Sequence, residues 1–331
     1  MAKAAINGFG RIGRAAFKIL LDTPELELVA VNDIVPTDNL AYLLKYDTAY
    51  GRYDKSVAVE DNDLVVAGTR YQVFNERDPA QLPWGELGID IVFECSGVFR
   101  QSKDLKKHLD AGAKFVVLSA PAKSEDVPTV VHGVVTPQEG TRIVSCASCT
   151  TNCITPVVEV MGRRIGVKKA IMTTIHAYTS SQAIVDAPSK KIRRGRAGAA
   201  NFVPTSTGAA IATTKVLPQY QGVFDGVAVR GPVVVGSIAD IIFLTKRETS
   251  VQEVNQIFRA EAQSEKYKGI LGVSKDPIVS SDIIMDPRAS VVDLGMTQVV
   301  DGDLVKVMSW YDNEWGFTNQ MIREGLRLVQ K

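Results

Sequence analysis

The segment Ala4-Ala5-Ile6-Asn7-Gly8-Phe9-Gly10-Arg11-Ile12-Gly13 constrains the fold more than any other part of the chain. A G-x-G-x-x-G turn joins a short apolar strand candidate, 4–7, to a helix candidate, 11–21, with Ile12, Ala15, Ala16, Ile19 and Leu20 on one side. A second strand candidate, 26–32, ends just before Asp33, which lies 20 residues beyond Gly13. The glycine pattern alone is weak. Strand, glycines, helix and acid in this order specify a dinucleotide-binding βαβ unit. Gly8 permits the tight turn, Gly10 lets the backbone approach a pyrophosphate, and Gly13 lets helix and strand pack closely. The N–H groups of Arg11 and Ile12, at a helix start, suit the diphosphate. Asp33 would accept hydrogen bonds from the ribose hydroxyls and repel a 2′-phosphate, so the expected cofactor is NAD, with NADP disfavoured.

Further strand candidates, 89–95 and 114–119, are near-continuous apolar runs, as in strands buried on both faces of a parallel sheet. A helix candidate at 103–110 precedes the latter, and Gly112 can end it. This alternation predicts a Rossmann-type doubly wound parallel sheet. The second half changes character. Long strand candidates at 169–177, 224–235, 237–245, 290–298 and 303–310 have few helices between them, apart from an amphipathic one at 251–263. Val299-Val300-Asp301-Gly302 is a hairpin signal. The expected fold class is therefore α/β, the Rossmann-type domain being joined to an α+β catalytic domain with a mixed or antiparallel sheet. The expected division is a dinucleotide domain at 1–148, a catalytic domain at 149–313, and a C-terminal helix within 314–331 that packs back on the first domain.

The net charge of 38 − 37 = +1 provides no global attraction for nucleic acid or anionic membranes, so neither is an expected partner. No apolar run is long enough to span a bilayer, and the N-terminus lacks a signal-peptide layout, which points to the cytoplasm. Of the four cysteines, Cys95, Cys146, Cys149 and Cys153, three lie within eight residues, unlike a secreted disulfide framework. No second pair and no nearby histidine complete a four-ligand metal site, so no metal is expected.

Cys149 directly precedes an apolar helical stretch, 154–161, where the helix dipole and unpaired N–H groups favour thiolate. Of three histidines, His176 ends a strand-like run and is followed by polar residues, which suits a general base projecting into a cleft. His108 and His132 read as structural. An activated thiol with a base implies attack on a carbonyl. Beside a nicotinamide, the thiohemiacetal can lose hydride to give a thioester that an acyl acceptor must release. Ser206-Thr207-Gly208-Ala209-Ala210, before a helix, suits a phosphate, and Arg230 and the 193–196 group supply charge.

These residues resemble the phosphorylating glyceraldehyde-3-phosphate dehydrogenase family over essentially the whole chain. The resemblance is carried by Asn7 to Arg14, Leu43-Leu44-Lys45-Tyr46-Asp47, Ser119-Ala120-Pro121, Ala147 to Cys153, His176-Ala177-Tyr178-Thr179, Val203 to Ala210, and Trp310 to Gly316. It implies that Cys149 attacks glyceraldehyde 3-phosphate and that His176 takes the proton and steadies the oxyanion. Hydride passes to NAD, and inorganic phosphate resolves the thioester to 1,3-bisphosphoglycerate. By the same resemblance, Thr179, Arg194 and Arg230 contact the substrate phosphate, and Ser148, Thr150, Thr207 and Gly208 form a second anion site. Asn313 holds the nicotinamide carboxamide, and Arg77 and Ser119 line the cofactor. The loop at 178–201 resembles one that packs across subunits of a homotetramer. Phe317 replaces a usual tyrosine, and Ala187, where leucine is common in NAD-specific members, would relax exclusion of a 2′-phosphate, whereas bulky Ile34 favours NAD. The same chemistry on erythrose 4-phosphate, or a non-catalytic redox or binding role on this scaffold, are the alternatives.

Overall fold

A computed structural model describes residues 1–330, which divide into two units. The first comprises Met1–His132, Thr136–Ala147 and the chain from Thr318 on; the second comprises Gly133–Val135 and Ser148–Phe317.

In the first unit, β1 (Ala2–Asn7), α1 (Arg11–Leu21) and β2 (Leu26–Asn32) form the βαβ unit read from the glycine pattern. After α2 (Thr37–Lys45) come the short pair β3 (Tyr46–Asp47) and β4 (Gly51–Arg52), then β5 (Val57–Glu60), β6 (Asp63–Val66) and β7 (Thr69–Phe74). Next are α3 (Trp84–Leu87), β8 (Ile91–Glu94), α4 (Ser102–Asp110), β9 (Phe115–Leu118) and β10 (Ile143–Ser145). The sheet order is β10-β9-β8-β1-β2-β7-β6-β5. From β10 to β7 the strands are parallel, whereas β6 and β5 add antiparallel. The parallel sheet thus carries an antiparallel edge. Its turns, Asp61-Asn62 and Ala67-Gly68, both have consecutive positive φ values, as tight two-residue hairpins require.

The central strands are buried on both faces. Ala4, Ala5 and Ile6 of β1, Ile91, Val92 and Phe93 of β8, and Val116, Val117 and Leu118 of β9 are fully enclosed, which explains their uninterrupted apolar runs. Trp84 packs with Ala5, Ala30 and Val92 on one side, while Leu105 packs with Val116 and Leu118. The last helix, α8 (Trp315–Val329), lies within the expected 314–331. Its Gly325 lies so close to β8 that an added Cβ would sit 2.6 Å from the Phe93 ring.

The second unit is built on β11 (Val167–Ala177). Its sheet order is β12 (Val203–Ser206), β13 (Phe224–Gly231), β11, β14 (Ser237–Thr245), β17 (Leu304–Tyr311), β16 (Ser290–Val300), β15 (Leu271–Ser274). β11 runs parallel to β13 and antiparallel to β14, so the sheet is mixed. β13 ends at Gly231 rather than continuing to 235, because Pro232 has no N–H to donate to a ladder. The β16–β17 hairpin turns through Asp301 and Gly302, both at positive φ. Helices α5 (Cys149–Arg164), α6 (Ala209–Val216) and α7 (Val251–Ala262) pack together on one face. The opposite face leaves Ile171 and Val227 more than half exposed, at 59% and 53%.

Candidate active site

The dinucleotide features lie where β1, β2 and β8 end. β1 is flanked by β2 on one side and β8 on the other, so the crossovers leave it in opposite directions. This is a topological switch point, where open α/β sheets bind ligands. A cavity of about 360 Å³ there is lined by Gly8, Gly10, Asp33, Ile34, Arg77 and Ser96, among others. The three glycines divide their work. A Cβ on Gly8, whose φ is +94°, would lie 2.4 Å from the Ser96 backbone, and one on Gly13 would lie 2.0 Å from the Gly8 carbonyl. Both are demanded by packing. At Gly10 no atom lies within 4 Å of an added Cβ, so its surface is left open for a ligand. Arg11 bonds Asp47 at 2.6 Å, and Ile12 follows it in the half-buried first turn of α1.

Asp33 accepts from the Phe9 N–H at 2.6 Å and from the Val35 N–H at 3.0 Å, so it ties the glycine turn to the end of β2. Ser119, at the end of β9, donates its N–H to the Glu94 carbonyl and is not among the cavity residues. Beneath these loops lies a buried network that the sequence reading missed. Glu94, fully buried, accepts from Asn7 Nδ2, Ser96 N–H and hydroxyl, and His108 Nε2. Trp84 Nε1 donates to His108 Nδ1, which fixes the hydrogen on Nε2 facing Glu94. Asn32 bridges Asn7 and the Glu76 backbone. The signal was present as a lone acid within Ile91-Val92-Phe93-Glu94-Cys95.

The nucleophile and base lie in the second unit. Ser148 caps α5, its Oγ accepting from the Thr151 N–H, and this places Cys149 at the first helical position. Ala147, just before it, has the left-handed φ of +57°, a strained setting for a residue with a Cβ and one often found beside functional groups. Cys149 Sγ lies 3.3 Å from His176 Nε2. The helix start does not decide the thiol's state: burial pushes its pKa up, against Arg230 and the Thr150 N–H and hydroxyl, which pull it down. A helix terminus contributes only about 0.3–1 kcal/mol, so enclosure outweighs it.

His176 is the penultimate residue of β11 and is register partner to Arg230 of β13. Burial, then the adjacent Arg230, lowers its pKa to about 3. Arg230 Nη1 lies 2.6 Å from His176 Nδ1 and donates to the Ala177 carbonyl at 2.9 Å. Tyr311, also unforeseen, stands edge-on to the His176 ring and bonds the hydroxyls of Thr150 and Thr174. Arg194 bonds Thr205 Oγ1 and the Ser206 carbonyl, with Ser181 Oγ at 3.5 Å. Thr179 Oγ1 meets the Ser181 hydroxyl at 2.8 Å. Thr207 Oγ1 accepts from the Ala209 N–H, and Gly208, the N-cap of α6, has open space on its Cβ side. Asn313 Oδ1 accepts from the Gly236 N–H and Ser237 hydroxyl, and the latter accepts from the Ala177 N–H. No group of three or more His, Cys, Asp or Glu among the described residues could hold a metal. Cys146 and Cys153 are buried and Cys95 half-buried, all as free thiols, with burial raising all three pKa values.

Residues 2–102 match the model of the glyceraldehyde 3-phosphate dehydrogenase NAD binding domain, and residues 148–313 match that of the C-terminal domain. The glyceraldehyde-3-phosphate dehydrogenase of Streptomyces coelicolor is 47% identical over 97% of this chain and 96% of its own. Glyceraldehyde-3-phosphate dehydrogenase 1 of Bacillus cereus is 47% identical over 97% of each chain. The Geobacillus stearothermophilus enzyme of the same name is 46% identical over 97% of this chain and 96% of its own. By likeness along nearly its whole length, the chain belongs to the glyceraldehyde-3-phosphate dehydrogenase family.

Proposed function

We propose that this chain catalyses the NAD-dependent oxidation and phosphorylation of glyceraldehyde 3-phosphate to 1,3-bisphosphoglycerate. The observation that carries the reading is the Cys149–His176 contact at 3.3 Å, set at a helix start within a chain that has a dinucleotide turn. Cys149 Sγ attacks the aldehyde carbon, and His176 takes the proton released and steadies the oxyanion. NAD, when bound, accepts the hydride. Gly8, Gly10, Arg11, Ile12 and Gly13 would hold its diphosphate, Asp33 its adenosine ribose, with Arg77, Ser119 and Asn313 as further cofactor contacts. Open space at Gly10 and the cavity beside Asp33 and Arg77 fit a dinucleotide. Inorganic phosphate then attacks the Cys149 thioester, the C–S bond breaks, and the thiolate leaves.

Arg230, Arg194 and Thr179 would bind the substrate phosphate, and Ser148, Thr150, Thr207 and Gly208 the inorganic one. The mutual proximity of two arginines with no carboxylate acting on either supports an anion there. The dinucleotide domain would span 1–148 with the helix in 314–331, and the catalytic domain 149–313. The apolar outer sheet face, with Ile171 and Val227, supports assembly of copies into a homotetramer. No helix among the described residues is long and apolar enough to cross a membrane, and we assign the chain to the cytoplasm. The test is kcat/KM for glyceraldehyde 3-phosphate against erythrose 4-phosphate, with NAD and phosphate. The triose should be preferred; a preference for the tetrose, or no NADH from either, would overturn the assignment.

A further inference from the structure

His176 Nδ1 has two competing partners. It lies 2.7 Å from the Ala177 carbonyl, which would require a hydrogen on Nδ1, and 2.6 Å from Arg230 Nη1, which forbids one. A guanidinium carries its hydrogens at all working pH values, so two N–H groups cannot face each other across that gap. With Arg230 in this position, Nδ1 is an acceptor and the hydrogen of neutral His176 is on Nε2, pointing at Cys149 Sγ. In that form His176 donates to the sulfur and cannot take its proton. Protonating Nε2 would also require an unprotonated Nε2, and an imidazolium would set Nδ1–H against the guanidinium.

We propose that Arg230 is a positioning residue that selects the His176 tautomer, and that an oxyanion drawing Arg230 off Nδ1 switches His176 from donor to acceptor toward Cys149. The inference rests on the reading of Cys149 and His176 as nucleophile and base. Its steps balance in protons. When Arg230 moves, Nε2 releases one proton to solvent and Nδ1 takes one from solvent, now donating to Ala177. The Nε2 lone pair then accepts the Cys149 S–H; the S–H bond breaks, the N–H bond forms, and a thiolate–imidazolium pair results.

Two features favour such movement. Arg230 Nε is buried and has no hydrogen-bond partner, so its present seat leaves a donor unmet that an anion would satisfy. Arg194 lies close enough to repel Arg230, and an anion between them would relieve this. The charged or titratable groups facing His176 are Cys149 from α5, Arg230 from β13, Arg194 from the loop before β12, and Tyr311 from β17. No carboxylate is among those acting on it.

The arrangement also separates this device from plain electrostatics. An anion that merely screens Arg230 should raise the Cys149 pKa and slow its alkylation. The tautomer exchange should do the reverse, and a drop of one pKa unit gives about tenfold more thiolate below that pKa.

The experiment uses the full chain labelled with ¹⁵N-histidine, whose three histidines keep the ring-nitrogen spectrum simple. Inorganic sulfate is titrated in, and iodoacetamide alkylation of Cys149 is measured in parallel across pH. His176 should show a protonated Nε2 without sulfate and a protonated Nδ1 at saturation, with alkylation near neutral pH rising severalfold. Arg230→Met should show the Nδ1–H form without sulfate and no further response to it. An Nδ1 that stays unprotonated at saturating sulfate, or in the variant, overturns the proposal, as does slower alkylation with sulfate. Dehydrogenase turnover is not used as a readout, so failure of the tautomer exchange is distinguishable from failure of the proposed function.

Discussion

His176 and Arg230 are register partners on adjacent parallel strands, β11 and β13, and their side chains meet with Nη1 2.6 Å from Nδ1. The contact puts a permanent positive charge against a buried imidazole. Burial first, and this charge second, explain why His176 is neutral at ordinary pH.

A stability prediction follows from that depression. The folded pKa of about 3 lies below the ordinary value of 6.5, so the unfolded chain binds more protons between them. The His176 contribution is therefore complete above about pH 6.5 and is lost as pH falls toward about 3, at about 1.4 kcal/mol per pH unit. Urea unfolding of the wild type and His176→Asn between pH 7 and 4 measures it: the wild type should lose stability faster. Parallel curves would contradict the depressed pKa.

Replacing the nucleophile should abolish aldehyde oxidation, so Cys149→Ser should show no NADH formation above background. His176→Asn should lower kcat by about 10²–10⁴-fold, the usual worth of general acid–base catalysis. Steady-state rates with glyceraldehyde 3-phosphate, NAD and phosphate measure both, and wild-type rates in either variant would remove that residue from the chemistry.

The fingerprint glycines should separate into two kinds. Gly13→Ala would drive a Cβ into the Gly8 carbonyl, 2.0 Å away, and should destabilise the fold by about 1–3 kcal/mol or more. Gly10→Ala meets nothing within 4 Å, so its Tm should match wild type while KM for NAD rises. Thermal melts with NAD titrations distinguish them; an equal loss of Tm in both would show that Gly10 also serves packing.

Asp33→Ala removes a carboxylate that holds the Phe9 and Val35 N–H groups and faces the cavity. Losing charge-assisted bonds of about 1.5–3 kcal/mol should raise KM for NAD by about 10–100-fold and narrow the preference over NADP. Kinetics with both cofactors test this, and an unchanged NAD-to-NADP ratio would rule out Asp33 as the discriminator.

Much of this architecture is legible in the chain. Gly8 to Gly13 with Asp33 specifies the βαβ unit because turn, close approach and helix start each demand a particular residue type. Cys149 and His176 stand out through their neighbours, a helix start for one and a strand end for the other. What stayed hidden depends on pairing across long sequence separation. Arg230 is visible as a charge, but its contact with His176 exists only through the β11–β13 register. Glu94 and His108 read as an odd acid in a strand and a helix histidine until folding buries them together. Tyr311 lies within the Trp310 to Gly316 segment, but nothing local marks its role, which comes from meeting Thr150, Thr174 and His176 in the core. The hairpins at 57–74 were not read from the sequence, although Asp61-Asn62 and Ala67-Gly68 lie between short runs of alternating apolar residues.

The central claim is that Cys149 forms an acyl-enzyme that phosphate resolves. Rapid mixing of enzyme, NAD and glyceraldehyde 3-phosphate without phosphate, followed by absorbance of NADH, tests it most directly. A burst stoichiometric with Cys149, then near-arrest until phosphate is added, is the predicted result. Sustained turnover without phosphate, or no burst at all, would contradict it.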